Sequence, residues 1–201
     1  MEREEMINKL RGTDYLDLRL IYAEYKQGIM EYDEEIVEML RYHPMLCLEF
    51  EVRTDLEFIP AKWHHICHLP AGIKSFDKLI TLDLSFNLLS SLPEEFLGLK
   101  SLEQLGLEEN NFSEIPPVLS KLSKLRFINL MSNKISLISD RIEMFKDNLE
   151  SLFLSNNLIT TVSESISELK NLKKLWLNGN PLSEQEKDKI EDLLPHTEIH
   201  F

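Results

Sequence analysis

The chain repeats a short aliphatic pattern five times, and this repetition restricts its possible folds more than any other feature of the sequence. Each copy follows L-x-x-L-x-L-x-x-N-x-L, in which Ile or Phe can replace Leu. The copies begin at Leu79, Leu102, Leu125, Leu149 and Leu172, so successive starts are 23, 23, 24 and 23 residues apart. Chance does not keep five asparagines in register with so many aliphatic residues.

Each copy predicts a short strand, a turn and a return segment. One such unit cannot bury its apolar face alone, so neighbouring units stack into a curved solenoid with a parallel sheet. The first, fourth, sixth and eleventh places of the pattern then face the core. At the ninth place the chain leaves the strand, and a buried amide there can bond turn groups that lack ladder partners. We therefore expect five structural asparagines, which are Asn87, Asn110, Asn133, Asn157 and Asn180.

The second half of the repeat supplies a further pattern, carried by the segments Leu92–Phe96, Ile115–Leu119 and Leu69–Ile73. Together with the first half, it resembles the leucine-rich-repeat family, in the class of about 23 residues with the pattern L-P-x-x-[IF]-x-x-L. This resemblance implies an α/β solenoid whose parallel sheet lines the concave face. Such repeats occur in bacterial proteins and in cytoplasmic scaffolds related to Ras suppressors. Ser139 and Ser163 replace the proline in later copies, and we expect this to leave the fold unchanged.

Four segments follow from these patterns: a helical N-terminal cap (1–44), a strand and degenerate first repeat (45–78), five repeats (79–182), and a capping helix and strand (183–201). In the last segment, Ser183 and Glu186 predict a capping box. The helix is expected to reach Leu194, followed by a strand in which Ile199 lies one repeat after Leu177. Residues 1–44 have a second interpretation, as an additional binding surface.

Charge and composition limit the partners. The net charge is −13, from 35 acidic and 22 basic side chains, and this repels the phosphates of nucleic acids. The first residues lack the apolar core of a secretory signal, and no apolar run reaches the ~18–20 residues that span a membrane. Two cysteines are too few for a disulfide framework. We expect a cytoplasmic monomer that binds neither nucleic acid nor membrane, although a bacterial effector delivered into another cell would look the same.

One group of residues could carry metal or nucleophile chemistry. The segment His64–His68 contains Cys67 among histidines, and His43 and Cys47 lie upstream. The downstream group lacks a recognised zinc spacing, and Cys67 lies in a segment expected to be packed. We therefore predict no cofactor and no enzymatic activity. A metal-binding or cysteine-dependent enzyme using His64–His68 is kept as an alternative, and so is a structural, self-associating solenoid.

The leading hypothesis is a non-catalytic interaction module that binds a protein partner on the concave sheet face. Side chains alternate along a strand, so residues between the core leucines face outward, and the third, fifth, seventh and eighth places form this surface. Aromatic residues and methionine gather there on neighbouring repeats, which is typical of binding surfaces. The predicted partner-binding residues are Phe86, Glu108, Arg126, Phe127, Met131, Phe153, Lys174 and Trp176.

Overall fold

The computed structural model describes residues 58–60, 69, 73–74 and 76–201, and these form a solenoid built on a seven-stranded parallel sheet. The predicted N-terminal cap (1–44) and the segment His64–His68 lie outside the described residues. Within the described part, no helix is long and apolar enough to cross a membrane. In sheet order, the strands are β1 (Phe58–Pro60), β2 (Thr81–Asp83), β3 (Gln104–Gly106), β4 (Phe127–Asn129), β6 (Ser151–Phe153), β8 (Lys174–Trp176) and β9 (Glu198–His200).

The core lies on one side of this sheet, and it contains the repeat places that the sequence assigns to it. The fourth place pairs with itself across neighbouring strands, for example Leu82 with Leu105 and Leu105 with Ile128. These three side chains have no exposed surface. The first, sixth and eleventh places are also buried, which confirms the predicted inward face. The strand residues between them therefore point away from the core.

Short 3-10 helices form the opposite layer of the solenoid. They are Glu94–Gly98, Pro117–Lys121, Asp140–Phe145 and Glu164–Glu168. Pro93 and Pro116 stand directly before the first two helices, where a fixed φ and a missing N–H cost little. Each helix turns at least one apolar residue of the repeat into the core, such as Phe96 or Ile166.

The ninth-place asparagines form the predicted ladder. Asn133 shows the arrangement: its Nδ2 donates to the carbonyl of Leu107 at 2.9 Å and to those of Leu130 and Met131 at 3.2 and 3.1 Å. Its Oδ1 accepts from the N–H of Phe112 at 2.9 Å. One amide therefore joins its own turn to two backbone groups of the preceding repeat. The same exchange between neighbouring repeats recurs at Asn110, Asn157 and Asn180.

Serine in place of proline leaves the solenoid fold unchanged, as expected, but the return layer differs locally there. Two extra strands, β5 (Leu137–Ile138) and β7 (Thr161–Val162), pair in parallel there. The N–H of Ser163 donates to the carbonyl of Ile138 at 2.8 Å, and a proline at this position has no N–H to donate. The serine hydroxyl also accepts from the N–H of Ser165 at the start of the following 3-10 helix.

The C-terminal helix, α1 (Glu184–Leu193), begins with only half of the predicted capping box. Ser183 Oγ accepts from the N–H of Glu186 at 3.2 Å, as expected. The Glu186 carboxylate does not complete the box, because it accepts instead from the N–H of Val162 at 2.8 Å. The helix ends one residue earlier than predicted, and Leu194 is buried beside it.

Strand β9 lies two residues out of the predicted register. Ile199 pairs with Leu175 rather than lying one repeat after Leu177. Two bonds fix this position: Thr197 Oγ1 donates to the carbonyl of Leu172, and the N–H of Glu198 donates to that of Lys173, both at 2.8 Å. The paired residues Leu175 and Ile199 are therefore 24 positions apart, and the return segment between them contains α1.

Glu186 and Lys189 also cover the outer edge of β7. In the pairing of β7 with β5, the N–H of Ser163 bonds to β5. The N–H and the carbonyl of Val162 point away from β5, towards the outer edge of β7. The Glu186 carboxylate accepts its N–H, and Lys189 Nζ donates to its carbonyl at 2.7 Å. Burial of the carboxylate, the largest single effect, raises the pKa of Glu186. The hydrogen bonds that the carboxylate accepts from Lys189 and Val162 together exceed this effect of burial, so the pKa of Glu186 is lowered from the ordinary value of 4.5.

We predict that Asn133→Ala lowers the free energy of unfolding by roughly 1–3 kcal/mol, because it leaves buried backbone groups of two repeats without partners. Urea denaturation followed by circular dichroism measures the change. Lys134→Ala, at the exposed neighbouring position, is the control and should change the midpoint little. Equal midpoints for Asn133→Ala and the wild type would contradict a stabilising ladder.

A second prediction concerns the pH dependence of stability. Because the folded pKa of Glu186 is lowered, its carboxylate contributes stability above pH 4.5 that is lost as the pH falls through the folded pKa. Glu186→Gln should therefore be less stable than the wild type at pH 7, and this difference should shrink in acid. Urea unfolding at pH 7 and below pH 4.5 measures it. Glu191→Gln, which removes an exposed carboxylate from the same helix, should not reproduce the pattern.

Candidate protein-binding face

The concave face is the side of the seven-stranded sheet that points away from the core. Four rings on it form a continuous aromatic row, which consists of Phe127, Phe153, Trp176 and His200. The ring centroids of Phe127 and Phe153 are 5.0 Å apart, and their planes are nearly perpendicular. Those of Phe153 and Trp176 are 4.7 Å apart, and those of Trp176 and His200 are 5.1 Å apart. Each distance is close to the ~4.8 Å between neighbouring strands.

The strand register explains why these rings meet. Phe153 pairs with Trp176, and Trp176 pairs with His200, so three rings stand side by side at the fifth repeat place. Phe127 occupies the third place on β4 and reaches Phe153 diagonally, with the edge-to-face geometry that aromatic pairs favour. Phe127, Phe153 and Trp176 are half-buried by this packing, although all face away from the core. Trp176 Nε1 is itself buried and has no hydrogen-bond partner within the described part.

An ion-pair network lies beside the aromatic row, at the second repeat place. The carboxylate of Glu150 pairs with Arg126 Nη1 at 2.6 Å and also with Lys173 Nζ. Hydrogen bonds from Lys173 and then from Arg126 are the strongest effects on Glu150, and they lower its pKa. Exposed pairs of this kind add little stability, but they fix the direction in which the basic groups point.

The first two repeats carry four acidic residues in or beside their strands, namely Asp83, Glu103, Glu108 and Glu109. Glu108 Oε2 accepts from Asn129 Nδ2 at 3.1 Å, so this carboxylate reaches across to the next strand. Asp83 Oδ1 accepts from the N–H of Ser85 at 3.1 Å. Among the described side chains, β2 and β3 of the concave face therefore carry acidic residues, and the strands from β4 onward carry the aromatic row with basic neighbours.

The structure brings some of the predicted binding residues together and separates others. Phe127, Phe153 and Trp176 form one row, while Arg126 and Lys174 are exposed beside it. Met131 and Glu108 are half-buried, and each contacts Asn129. Phe86 follows β2, and β2 lies four strand spacings, or about 19 Å, from β8, which carries Trp176. It is therefore not part of the aromatic row.

Phe86 occupies a strained backbone position that recurs in every repeat. Its φ is 59°, and the eighth place is left-handed in all five copies. A phenylalanine there is costly, whereas Gly179 in the last copy adopts the same region without a steric penalty. The other three left-handed residues are Glu109, Ser132 and Asn156. Side-chain alternation thus ends before the eighth place, where the chain turns towards the asparagine.

Two assignments from the sequence need correction at this surface. Ser85 and Ser155, at the seventh place, are buried rather than offered on the concave face. Ser155 Oγ donates to Asn178 Oδ1, which explains its burial. His200 was missed, because the predicted register placed Ile199 after Leu177 instead of beside Leu175. Alignment on the alternation Glu198-Ile199-His200 would have found it, since the inward residue of β9 must be Ile199.

Metal chemistry has no support from the described residues. No group of three or more histidine, cysteine or acidic side chains there could hold a metal ion. The candidates His43, Cys47 and His64–His68 fall outside that part of the chain, so the alternative that depends on them stays untested.

Comparison with known proteins identifies the repeat. A family model described as "Leucine rich repeat" matches residues 70–112, and one described as "Leucine Rich repeats (2 copies)" matches residues 147–194. The chain is a leucine-rich-repeat protein. Both matched segments contain the strand and asparagine pattern on which the solenoid depends.

Similar leucine-rich-repeat proteins come from distant organisms. Chaoptin of Drosophila melanogaster is 32% identical over 132 residues, which cover 64% of this chain and 10% of chaoptin. A solved structure of a Leptospira interrogans leucine-rich-repeat protein is 32% identical, with a TM-score of 0.69, over 76% of this chain and 38% of that chain.

A third similar protein was solved as part of a complex. It is the ectodomain of the Arabidopsis thaliana membrane receptor kinase GASSHO1/SCHENGEN3, in complex with CASPARIAN STRIP INTEGRITY FACTOR 2. The identity is 31% and the TM-score 0.54, over 65% of this chain and 16% of that chain. The leucine-rich-repeat chain described here thus spans well under half of each of these three relatives.

We predict that Phe153 and Trp176 stabilise each other across the leucine-rich-repeat sheet. A double-mutant cycle with Phe153→Ala and Trp176→Ala should give a coupling of about 0.5–1.5 kcal/mol, since a ring pair contributes beyond its buried area. Urea unfolding of the two single variants and the double variant supplies the four free energies. The control cycle combines Trp176→Ala with Leu137→Ala in the return layer, and it should be additive within about 0.5 kcal/mol. If the changes in unfolding free energy are additive in both cycles, the prediction is wrong.

Proposed function

We propose that this leucine-rich-repeat protein is a non-catalytic interaction module, which binds a protein partner on its concave face through the aromatic row. Leucine-rich repeats generally serve protein–protein interaction, and the proposal assigns that role to particular side chains of this chain. The observation that carries it is the row itself, because stacked rings stand on the outward side of three neighbouring strands and on β9.

The physical chemistry of the row supports protein binding. Core packing does not require these rings, because the inward places are already filled by leucine and isoleucine. Aromatic side chains bury a large area at low entropic cost, and tryptophan is among the residues that most often dominate binding energy. Their mutual contacts hold the rings in place before a partner arrives, which reduces the cost of ordering them on binding.

The surroundings of the row also suit an interface. Arg126 and Lys173 are oriented by Glu150, and Lys174 is exposed beside Trp176. Polar and charged residues of this kind form the rim of typical interfaces, around an apolar centre. The receptor ectodomain from Arabidopsis thaliana, solved in complex with its factor, supports the same general use of such a solenoid.

The non-catalytic part of the proposal follows from the general use of leucine-rich repeats as interaction scaffolds. The expectations of a cytoplasmic location and a monomeric state remain predictions from the sequence.

The experiment is a pull-down from native lysate with the full chain as bait. Phe153→Ala combined with Trp176→Ala should abolish capture of the partner, because loss of one central aromatic often costs 2 kcal/mol or more. The captured protein is identified by mass spectrometry, and its binding is then measured with purified components. Circular dichroism checks that the double variant remains folded.

Met144→Ala is the matched control, since it removes an exposed apolar side chain from the return layer. It should leave capture unchanged. If the folded double variant still binds the captured protein as tightly as the wild type, the interface lies elsewhere and the proposal is wrong. If Met144→Ala alone abolishes binding, the return layer is the binding surface.

A further inference from the structure

The last repeat contains an asparagine that is followed directly by a glycine. Asn178 and Gly179 occupy the seventh and eighth repeat places, and no other asparagine of the chain precedes a glycine. Both residues are exposed, and Asn178 follows Trp176 of the aromatic row by two positions. Asparagine is a thermally labile residue, because its side-chain amide can react with the next peptide nitrogen. A glycine at the next position leaves that nitrogen unshielded, since glycine has no side chain.

The N–H of the eighth place joins neighbouring repeats in the other four copies. It donates there to the seventh-place carbonyl of the next repeat, as the N–H of Asn156 does to the carbonyl of Asn178 at 2.8 Å. The N–H of Gly179 has no hydrogen-bond partner within the described part of the chain. The nitrogen that can attack the Asn178 side chain is therefore not engaged in bonding between repeats.

Packing of the turn requires a glycine at this position. The φ of Gly179 is 77°, in the left-handed region that glycine adopts without a steric penalty. A Cβ atom added to Gly179 would overlap with the side-chain oxygen of Asn156 and lie 3.2 Å from its backbone nitrogen. A larger residue, which would shield the nitrogen after Asn178, is therefore excluded by the neighbouring repeat.

The second reacting group is the side-chain amide of Asn178. Its Oδ1 accepts a hydrogen bond from the hydroxyl of Ser155, which belongs to the preceding repeat and is fully buried. When a nitrogen attacks the amide carbon Cγ, negative charge develops on Oδ1. A donor that is already in place stabilises such charge, so Ser155 favours the attack.

We propose that Asn178 is a site of spontaneous deamidation in the folded protein, through a cyclic succinimide formed with Gly179. The Gly179 nitrogen gives up its proton to hydroxide and forms a bond to Asn178 Cγ. The bond between Cγ and the side-chain nitrogen breaks, and this nitrogen takes up a proton from water and leaves as ammonia. Water then adds to one of the two ring carbonyls and opens the ring. Opening at Cγ gives aspartate, and opening at the main-chain carbonyl gives isoaspartate.

Both products change the surface beside the aromatic row. Aspartate adds a negative charge two positions after Trp176 and four positions after Lys174. Isoaspartate adds the same charge and also lengthens the main chain by one carbon, because the former side chain becomes part of the backbone. The Asn178 carbonyl and the turn at Asn180 join this repeat to the preceding one. Isoaspartate therefore weakens this junction, whereas aspartate leaves its backbone unchanged.

The test incubates the purified full chain at physiological temperature, at neutral and at mildly alkaline pH. Proteolysis followed by liquid chromatography and mass spectrometry measures the conversion of each asparagine and separates aspartate from isoaspartate. We expect Asn178 to react at least about tenfold faster than any other asparagine, a difference of about 1.4 kcal/mol in activation free energy. The rate should rise with pH, because the Gly179 nitrogen must lose its proton. Asn180 is an internal control, since Pro181 has no N–H with which to close the ring.

A synthetic peptide of residues 175–182, incubated in parallel, gives the rate of the same reaction without the fold. Asn178 in the full chain should react on the same time scale as this peptide. If Asn178 stays intact in the folded chain while the peptide is converted, the fold protects the pair and the proposal is wrong.

The role of Ser155 is tested separately. Ser155→Ala removes the donor to Asn178 Oδ1, and conversion of Asn178 should slow by about tenfold or more. Circular dichroism checks that this variant is folded. An equal or faster rate in the folded variant would overturn the role of the serine hydroxyl.

Two further variants test the effect on the last repeat. Asn178→Gln keeps an oxygen acceptor for Ser155 but must close a larger, less favourable ring, so it should stay unmodified. After equal incubation, the urea midpoint of the wild type should fall, while that of Asn178→Gln should not. Freshly purified Asn178→Asp, which has the charge without the longer main chain, should be more stable than the converted wild type. An equal fall in the wild type and Asn178→Gln would contradict the weakened junction. None of these measurements uses a partner, so their outcome is independent of the proposed function.

Discussion

The asparagine amide at the ninth place is the contact on which the rest of the solenoid depends. The chain must leave each strand through a turn whose carbonyls have no ladder partners, and a buried carbonyl without a partner is costly. From the second repeat onward, each amide bonds those carbonyls and also binds two backbone groups of the preceding repeat, as Asn133 does. The repeats are thereby stacked in one register, and the left-handed residue before each asparagine becomes tolerable.

That register also creates the candidate binding surface. Rings far apart in the sequence stand about one strand spacing apart, because every repeat returns to the same place in the sheet. Neighbouring side chains can then support one another across strands, as Phe153 and Trp176 do. Charged side chains also meet across strands: Glu150 pairs with Arg126 and Lys173 because their repeats are neighbours in the sheet. In this fold, the side chains that form one surface site therefore come from neighbouring repeats rather than from consecutive residues of one repeat.

The sequence predicts those parts that depend on periodicity. The core places, the asparagine ladder and the aromatic positions Phe127, Phe153 and Trp176 all follow from counting residues within a repeat. What it misses depends on contacts between irregular segments. Prediction of His200 as a member of the aromatic row needs the register of β9, which is set by bonds from Thr197 and Glu198. Prediction of the second sheet needs the bond that the N–H of Ser163 donates to Ile138. Prediction of the role of Glu186 needs the short distance between Val162 and the last helix.

The pairing of Glu186 and Lys189 with Val162 has a consequence for how the return layer stops. A carboxylate that accepts one N–H and an ammonium that donates to one carbonyl together imitate the peptide groups of an adjoining strand. The small sheet of β5 and β7 therefore ends against side chains instead of presenting a bare ladder to other molecules. Lys189 also pairs with the ionised carboxylate of Glu186, so protonation of that carboxylate weakens this cover. Acid would therefore leave the edge of β7 more open to pairing with a strand of another molecule.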